Sequence, residues 1–325
     1  MPRDLSLAEV FQVGYYWETK ILLTAVKLDL FSALNEAGAT SLELAGRLNL
    51  HQPALTVLLN ALVAMRILLK EENRFKNTAV AQKHLVKGKK DYIGHLLLLH
   101  DAEWANWGRL EETVRTGRSP VQQHVFKTDP EMGANVLAVL HRIGRESGPN
   151  LAKGADLKGA KRLLDVGGGA GTNAMAFCQE YPDLFATVFD LPQTLALTRA
   201  IVEEAGLQDR ITLLAGDFNV DSFKGLYDVA LMSDVLHYQD GATNAALISK
   251  IYDHLVEDGR LIIKDRFLDE SRTGPAWTTA FAVHIMVNTE KGQCFTGQEV
   301  MDWMAEAGFQ SVTELEPCAI IQGTK

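Results

Sequence analysis

The chain has 325 residues, of which 47% are apolar and 22% charged, ordinary proportions for a folded globular protein. This excludes disorder, a collagen-like repeat and a disulfide mini-scaffold, and the length suits two packed units or one large one. The net charge of −9 is uneven: residues 1–90 hold 12 Lys/Arg against 8 Asp/Glu, residues 91–160 hold 8 against 9, and residues 161–325 hold 12 against 24. An acidic second half argues against a large nucleic-acid footprint. Three cysteines (Cys178, Cys294, Cys318) at no metal-ligand spacing fit a reducing compartment. No apolar run approaches the roughly 20 residues that span a bilayer. The start, Met1 to Val10, has no hydrophobic segment of signal type. A cytoplasmic protein without a membrane partner is expected.

Up to about residue 155 the periodicity is helical. Leu22, Leu23, Val26, Leu30 and Leu34 form one face, Thr40 with Glu43 makes a capping box for a helix from Leu42 to Leu48, and Pro53 opens a third helix reaching Met65. Ile67-Leu68-Leu69, a charged turn from Lys70 to Asn73, and Arg74-Phe75 then read as a hairpin, the winged-helix arrangement. A DNA-reading helix presents Arg, Lys, Asn or Gln to base edges. The segment from Ala54 to Met65 has no charge and is apolar almost all round, so burial on two sides, against a neighbouring domain or a second subunit, is expected instead. Between Asp91 and Gly159 the chain stays helical. Trp104 and Trp107 share a helix, Asp129-Pro130 starts another, and Met132, Val136 and Leu140 form a stripe along it.

From Lys161 short apolar strands alternate with helices, as in an α/β sheet. Expected strands are 162–166, 187–190, 211–215, 229–233, 260–265, 311–315 and 319–322. Ligands of such sheets bind beyond the carboxyl ends of the strands. After the first comes Asp165-Val166-Gly167-Gly168-Gly169-Ala170-Gly171, a G-x-G-x-G run rather than the dinucleotide spacing, suited to backbone approach and to an anion at the next helix. After the second comes Asp190, 21 residues beyond Gly169, suited to ribose hydroxyls; after the third, Gly216-Asp217-Phe218 offers a carboxylate and a ring to an adenine. Together they fit a nucleoside.

These motifs, with Phe189-Asp190-Leu191-Pro192 and Val235-Leu236-His237, resemble the small-molecule O-methyltransferases that use S-adenosylmethionine, a group including the plant caffeate and acetylserotonin enzymes and a microbial natural-product branch. The resemblance covers nearly the whole chain, including Trp107-Gly108-Arg109-Leu110 and Val114-Arg115-Thr116-Gly117. It implies a Rossmann-like α/β methyltransferase domain with a mostly parallel seven-stranded sheet, preceded by an α-helical winged-helix dimerisation domain. The expected limits are 1–90 for dimerisation, 91–158 for a helical connector lining the acceptor pocket, and 159–325 for catalysis. S-adenosylmethionine is the implied cofactor, a small-molecule acceptor and a second copy of the chain the implied partners. Asp165, Gly167 and Gly169 would hold the methionine portion, Asp190 and Leu191 the ribose, and Gly216, Asp217 and Phe218 the adenine. Ser233 stands where a lysine often precedes the histidine by four.

His237, just beyond the fourth strand, is the candidate general base. A phenol has a pKa of about 10, so a nearby imidazole helps by taking its proton. Asp265 falls where the family carries the acid that orients this histidine. Met286, and with it Asn288 and Leu140, are expected at the acceptor. Two departures stand out: Tyr238-Gln239-Asp240 replaces the usual Asp-Trp after the histidine, and Gln293-Cys294-Phe295-Thr296 replaces an acid before a threonine. They hint at an acceptor other than a plant phenol. The remaining histidines, among them His95, His100, His124 and His141, show no metal spacing, and no metal is expected. Methylation of sulfur or carbon, or a non-methylating use of the cofactor, is the alternative; a nucleoside-sensing DNA regulator is disfavoured by the uncharged third helix.

Overall fold

The computed structural model describes residues 4–34, 37–121 and 128–325; His124 lies outside them. The chain divides into a unit of residues 1–104 and a unit of residues 105–325. In the first, α1 (Leu7–Val13), α2 (Trp17–Lys27), α3 (Leu30–Ala33), α4 (Ser41–Leu48), α5 (Gln52–Ala64) and α6 (Ala79–His84) surround a three-stranded antiparallel sheet. Its strands are β1 (Ala39–Thr40), β2 (Leu68–Glu71) and β3 (Arg74–Asn77), in the order β1-β3-β2. The expected stripe from Leu22 to Leu34 is interrupted by Asp29, which takes a left-handed φ of 56° between α2 and α3. Leu23, Val26, Leu30 and Leu34 nevertheless all reach the core. The Thr40–Glu43 capping box forms as read, with Thr40 N–H donating to the Glu43 carboxylate at 2.8 Å and Glu43 N–H to Thr40 Oγ1 at 3.2 Å.

The third helix buries one of its apolar faces within this unit. In α5 only one face, Leu55, Leu59 and Leu62, is buried, while Val57 is 71% exposed. A single apolar stripe satisfies the core of a small unit, so the other apolar face looks to solvent in the single chain. No helix among the described residues is long and apolar enough to cross a membrane.

In the second unit, α7 (Gly94–Trp107, begun in the first) and α8 (Leu110–Thr116) precede the 25-residue α9 (Pro130–Gly154), which Asp129 caps by accepting Met132 N–H at 2.9 Å. The face α9 buries is Gly133, Val136 and Val139, and Leu140 is 41% exposed. The i, i+4, i+8 row expected from the sequence fails here because each four-residue step turns it by about 40° away from the packed side. Further along, Gly144 and Gly148 let α9 approach α10 (Thr172–Glu180) closely: a Cβ on them would come within 3.3 Å of Thr172 and 3.1 Å of Ala176.

The sheet holds β4 (Arg162–Val166), β5 (Phe185–Asp190), β6 (Ile211–Ala215), β7 (Tyr227–Ser233), β8 (Leu255–Lys264), β9 (Gln310–Glu316) and β10 (Ile320–Thr324). Its order is β6-β5-β4-β7-β8-β10-β9, parallel from β6 through β8 and antiparallel at β10 and β9. All seven expected strands are present; β8 begins earlier than read, at Leu255. Helices α11 (Pro192–Glu204), α12 (Gly241–Asp253), α13 (Ala276–Asn288) and α14 (Gly297–Ala307) complete the unit. The central strands read as unbroken apolar runs because both faces are covered. Leu164, Val166, Ala230, Met232, Leu261 and Ile263 face one core, and Leu163, Val229, Leu231 and Ile262 the other. Leu231→Ala, at a fully buried site of β7, is expected to lower stability by about 2–5 kcal/mol. Val220→Ala, where the side chain is 79% exposed, should change it by less than about 0.5 kcal/mol; urea denaturation of the two variants checks the contrast.

Candidate active site

Strand order reverses between β4 and β7, so the loops leaving these two strands border one crevice at the carboxyl edge of the sheet. Gly167, Gly169 and Gly171 leave β4 with φ of 66°, 54° and 74°, a region open to glycine and costly for other residues. Space is short as well as conformation: a Cβ on Gly167 would stand 2.9 Å from the Val235 side chain, and one on Gly168 2.7 Å from the Asp165 carboxyl. The loop is tied to the end of β5 by Asp190, whose two oxygens accept Gly169 N–H at 2.8 Å and Leu191 N–H at 2.7 Å. The spacing of 21 residues is therefore a direct hydrogen bond. A carboxylate offers about four lone-pair sites, and the Thr194 hydroxyl takes a third, so capacity for one further donor remains.

Asp165, at 1% exposure, lies beneath the loop, and no hydrogen bond of normal geometry reaches either of its oxygens. Burial pushes its pKa up to about 7, with the Ala174 N–H a partial offset and the charge of Asp190 a further push. Burial also raises Asp190, against the N–H groups of Gly169 and Leu191. At the end of β6, Asp217 accepts Asn219 N–H at 2.9 Å. The Phe218 ring lies 3.3 Å from where a Gly167 Cβ would be, and Lys250 holds this turn through the carbonyls of Phe218 and Asp221. Glycine loop, Asp190 and the Asp217–Phe218 turn thus line adjoining strand ends, with backbone donors, a carboxylate and a ring in sequence.

Across the crevice, β7 ends at Ser233, whose hydroxyl is engaged by Asp234 at 3.0 Å. His237 follows on a one-turn 3-10 helix, Leu236–Tyr238. Its Nδ1 lies 2.7 Å from Asp265 Oδ1, and both side chains are 3% exposed. Asp265 also accepts Leu236 N–H at 3.0 Å and Arg266 N–H at 2.8 Å. A carboxylate at this distance accepts from an Nδ1–H, the arrangement that leaves Nε2 of a neutral ring as the acceptor. Buried Asn244 donates to Leu236 C=O at 2.9 Å, and Gln239 donates to Asn244 at 3.0 Å. This clamp beneath the turn went unread in the sequence, where Asn244 looks like an ordinary helix residue. Phe281, equally unread, sets its ring edge-on to the imidazole at 5.1 Å between centroids.

A cavity of about 430 Å³ adjoins the dyad, lined by Met286, Ala282, Val283, Cys294, Thr113 and Lys291 among others. Cys294 and Gln293 also border the narrow crevice at His237 and Asp265, so they form the wall shared by both. Burial, then the charge of Asp265, pushes the Cys294 thiol up to about 12, against the cation of Arg266; it is a neutral wall. Asn288 is not part of that lining. Its amide accepts from Asn106 at 2.8 Å and donates to His284 C=O at 3.0 Å, a cross-link between α7 and α13. Leu140, exposed on α9, is likewise away from this wall. His141 is held by the Thr172 hydroxyl at 2.8 Å, and His95 meets Tyr92 edge-on.

Comparison with known proteins identifies the family. The family model described as an O-methyltransferase domain matches residues 107–310, and that of an O-methyltransferase dimerisation domain matches residues 12–87. The chain is 32% identical to 3-hydroxy-5-methyl-1-naphthoate 3-O-methyltransferase of Streptomyces sahachiroi, covering 91% of this chain and 87% of that protein. It is 27% identical to L-tyrosine C(3)-methyltransferase of Streptomyces lavendulae, over 90% of this chain and 83% of that one. The solved structure of PigF with SAH superimposes with a TM-score of 0.91 at 25% identity, covering 99% of this chain and 100% of that chain. A seven-stranded sheet, both family models and these relatives place this chain in the O-methyltransferase family, whose methyl donor is S-adenosylmethionine.

Proposed function

We propose that the protein moves a methyl group from S-adenosylmethionine to a hydroxyl of a small aromatic molecule, with His237 as general base and Asp265 as its orienting acid. The observation that carries this is the 2.7 Å contact between His237 and Asp265, buried at the sheet edge beside the cradle. The cradle fits the cofactor. Glycines stand where a side chain would close the space, and the orphaned Asp165 carboxyl and the backbone around Gly167 and Gly169 suit the polar methionine end. Asp190 with Leu191 suits the ribose, Gly216, Asp217 and Phe218 the adenine, and Ser233 stands at the crevice between cradle and base. When bound, the cofactor supplies a methyl carbon made electrophilic by a sulfonium. The protein's own work is to bring the acceptor hydroxyl to Nε2 of His237, take its proton there, and offset the charge that develops on the ring with Asp265. Orientation in a site closed to water contributes much of the remaining acceleration.

The cavity walled by Met286 and Cys294 suits a flat apolar acceptor, since thioether and neutral thiol are soft and carry no charge. The naphthoate acceptor in the name of the Streptomyces sahachiroi relative belongs to that class. Methylation at a ring carbon is the second reading. The likeness to a tyrosine C(3)-methyltransferase favours it, because removing a phenolic proton also activates the adjacent carbon. We further propose that residues 1–90 form a winged-helix module pairing two copies into a homodimer, that residues 91–158 connect it to a catalytic part at 159–325, and that the protein works in the cytoplasm, where its unpaired cysteines are at home.

His237→Ala is expected to lower turnover of a hydroxylated aromatic by about a hundred- to ten-thousand-fold while leaving calorimetric binding of S-adenosylhomocysteine unchanged. Unaltered turnover would refute the base assignment, and the position of the new methyl group by mass spectrometry and NMR separates oxygen from carbon. Gly167→Ala should weaken that binding by about tenfold or more, because the loop must shift to admit a Cβ at positive φ. Asp165 yields a stability test. An acid whose pKa rises on folding, here from 3.8 to about 7, holds its proton more tightly in the folded state. Its contribution is therefore complete below the lower value and lost as pH rises through the upper one. In the cofactor-free protein, Asp165→Asn should gain on the parent in urea midpoint steadily between those two pH values; parallel curves would count against a buried neutral carboxyl.

A further inference from the structure

We infer that Arg266 is a positioning residue for the His237 ring, acting through two of the groups that bound that ring. The inference rests on the base assignment above. The imidazole is bounded by Asp265 at Nδ1, by its chain neighbour Tyr238 at 4.3 Å between ring centroids, and by Phe281 at 5.1 Å in an edge-to-face arrangement of 81°. Arg266 touches Asp265 and Phe281. Its backbone N–H donates at 2.8 Å to Asp265 Oδ1, the same oxygen that meets His237. Its guanidinium lies over the Phe281 ring at 4.9 Å and over Trp277 at 5.2 Å. Those two rings are themselves stacked, 5.0 Å apart and within 15° of parallel.

The guanidinium is anchored from its other side. Asp234 pairs with it through Oδ1, while its Oδ2 takes Lys264 at 2.8 Å and the Ser233 hydroxyl at 3.0 Å. Asp234 stands three residues before His237 with a φ of 58°, a left-handed conformation rarely adopted by side-chain-bearing residues. That turn aims the carboxylate back across the end of β8. Burial opposes its ionisation, yet the cations of Lys264 and Arg266 bring its pKa down to about 2, so the anchor stays charged. Helix α13 begins at Pro275, which supplies no side-chain cap. The clasp of Arg266 on Trp277 and Phe281 therefore fixes the first turns of this helix, and with them the ring that faces His237. A planar guanidinium does this where an ammonium would not, because it can stack on the rings while its edge meets the carboxylate.

The test observes the ring directly. In full-length protein labelled with nitrogen-15 histidine, the His237 signal is the one absent from His237→Ala, and its Nδ1–H, held by Asp265, exchanges slowly with solvent. Arg266→Met and Phe281→Leu are each expected to speed that exchange by about tenfold or more. The double variant should exchange no faster than the faster single, since both act through one contact. Asp234→Asn, nearly isosteric, should give the same acceleration with the arginine in place, and it carries the test if Arg266→Met fails to bind S-adenosylhomocysteine. Arg266→Lys should recover only part of the protection. Exchange within about twofold of the parent in a variant that still binds S-adenosylhomocysteine would overturn the inference, as would single effects that multiply in the double variant. Full turnover in His237→Ala would remove the base assignment while leaving the ring-exchange result to stand or fall separately.

Discussion

The parallel pairing of β4 with β7, in register from Leu163 against Val229 to Val166 against Met232, brings two chain exits side by side. From one the chain turns through glycines toward α10; from the other it turns through Asp234 toward His237. The Val235 side chain lies so close to Gly167 that a single added carbon would meet it at 2.9 Å. The glycine loop and the segment leading to His237 are thus parts of one contact surface. Either exit displaced by a residue of register would put the opposite face of its strand toward the wrong core, and the two apolar layers on the sheet prevent that slip.

Charge at this edge is arranged by burial as much as by pairing. Asp165 sits beneath the glycine loop in a setting that favours its neutral form, and Cys294 is kept a thiol. Asp234 stays ionised because two cations face it, and Asp265 is surrounded by donors, accepting from Leu236, Arg266 and His237. The crevice therefore presents one oriented imidazole with a carboxylate behind it, and a neutral wall of Cys294 and Met286 where the acceptor would lie. Such a wall places little constraint on acceptor polarity and more on its shape.

Much of this was legible in the residues. The apolar runs of the sheet, the glycine loop, Asp190 at its fixed spacing and the capping box at Thr40 are local signals, set by nearby stretches of chain. His237 and Asp265 were placed by resemblance, and their contact follows from the adjacency of β7 and β8. What escaped was long-range or rotational. The row through Met132 and Leu140 turned off the packed side of α9, and Asn288 proved to be a cross-link.

Local chemistry along the chain was enough to specify apolar strands followed by a glycine-rich loop and two acids, because each of those features depends on nearest neighbours and on a period of two. Which side chains surround the imidazole was settled by folding alone. Phe281 lies 44 positions from His237 and meets its ring, while Arg266, 29 positions away, meets Phe281 just past the end of β8. No periodicity encodes that meeting; it arises from the three-dimensional path of the backbone.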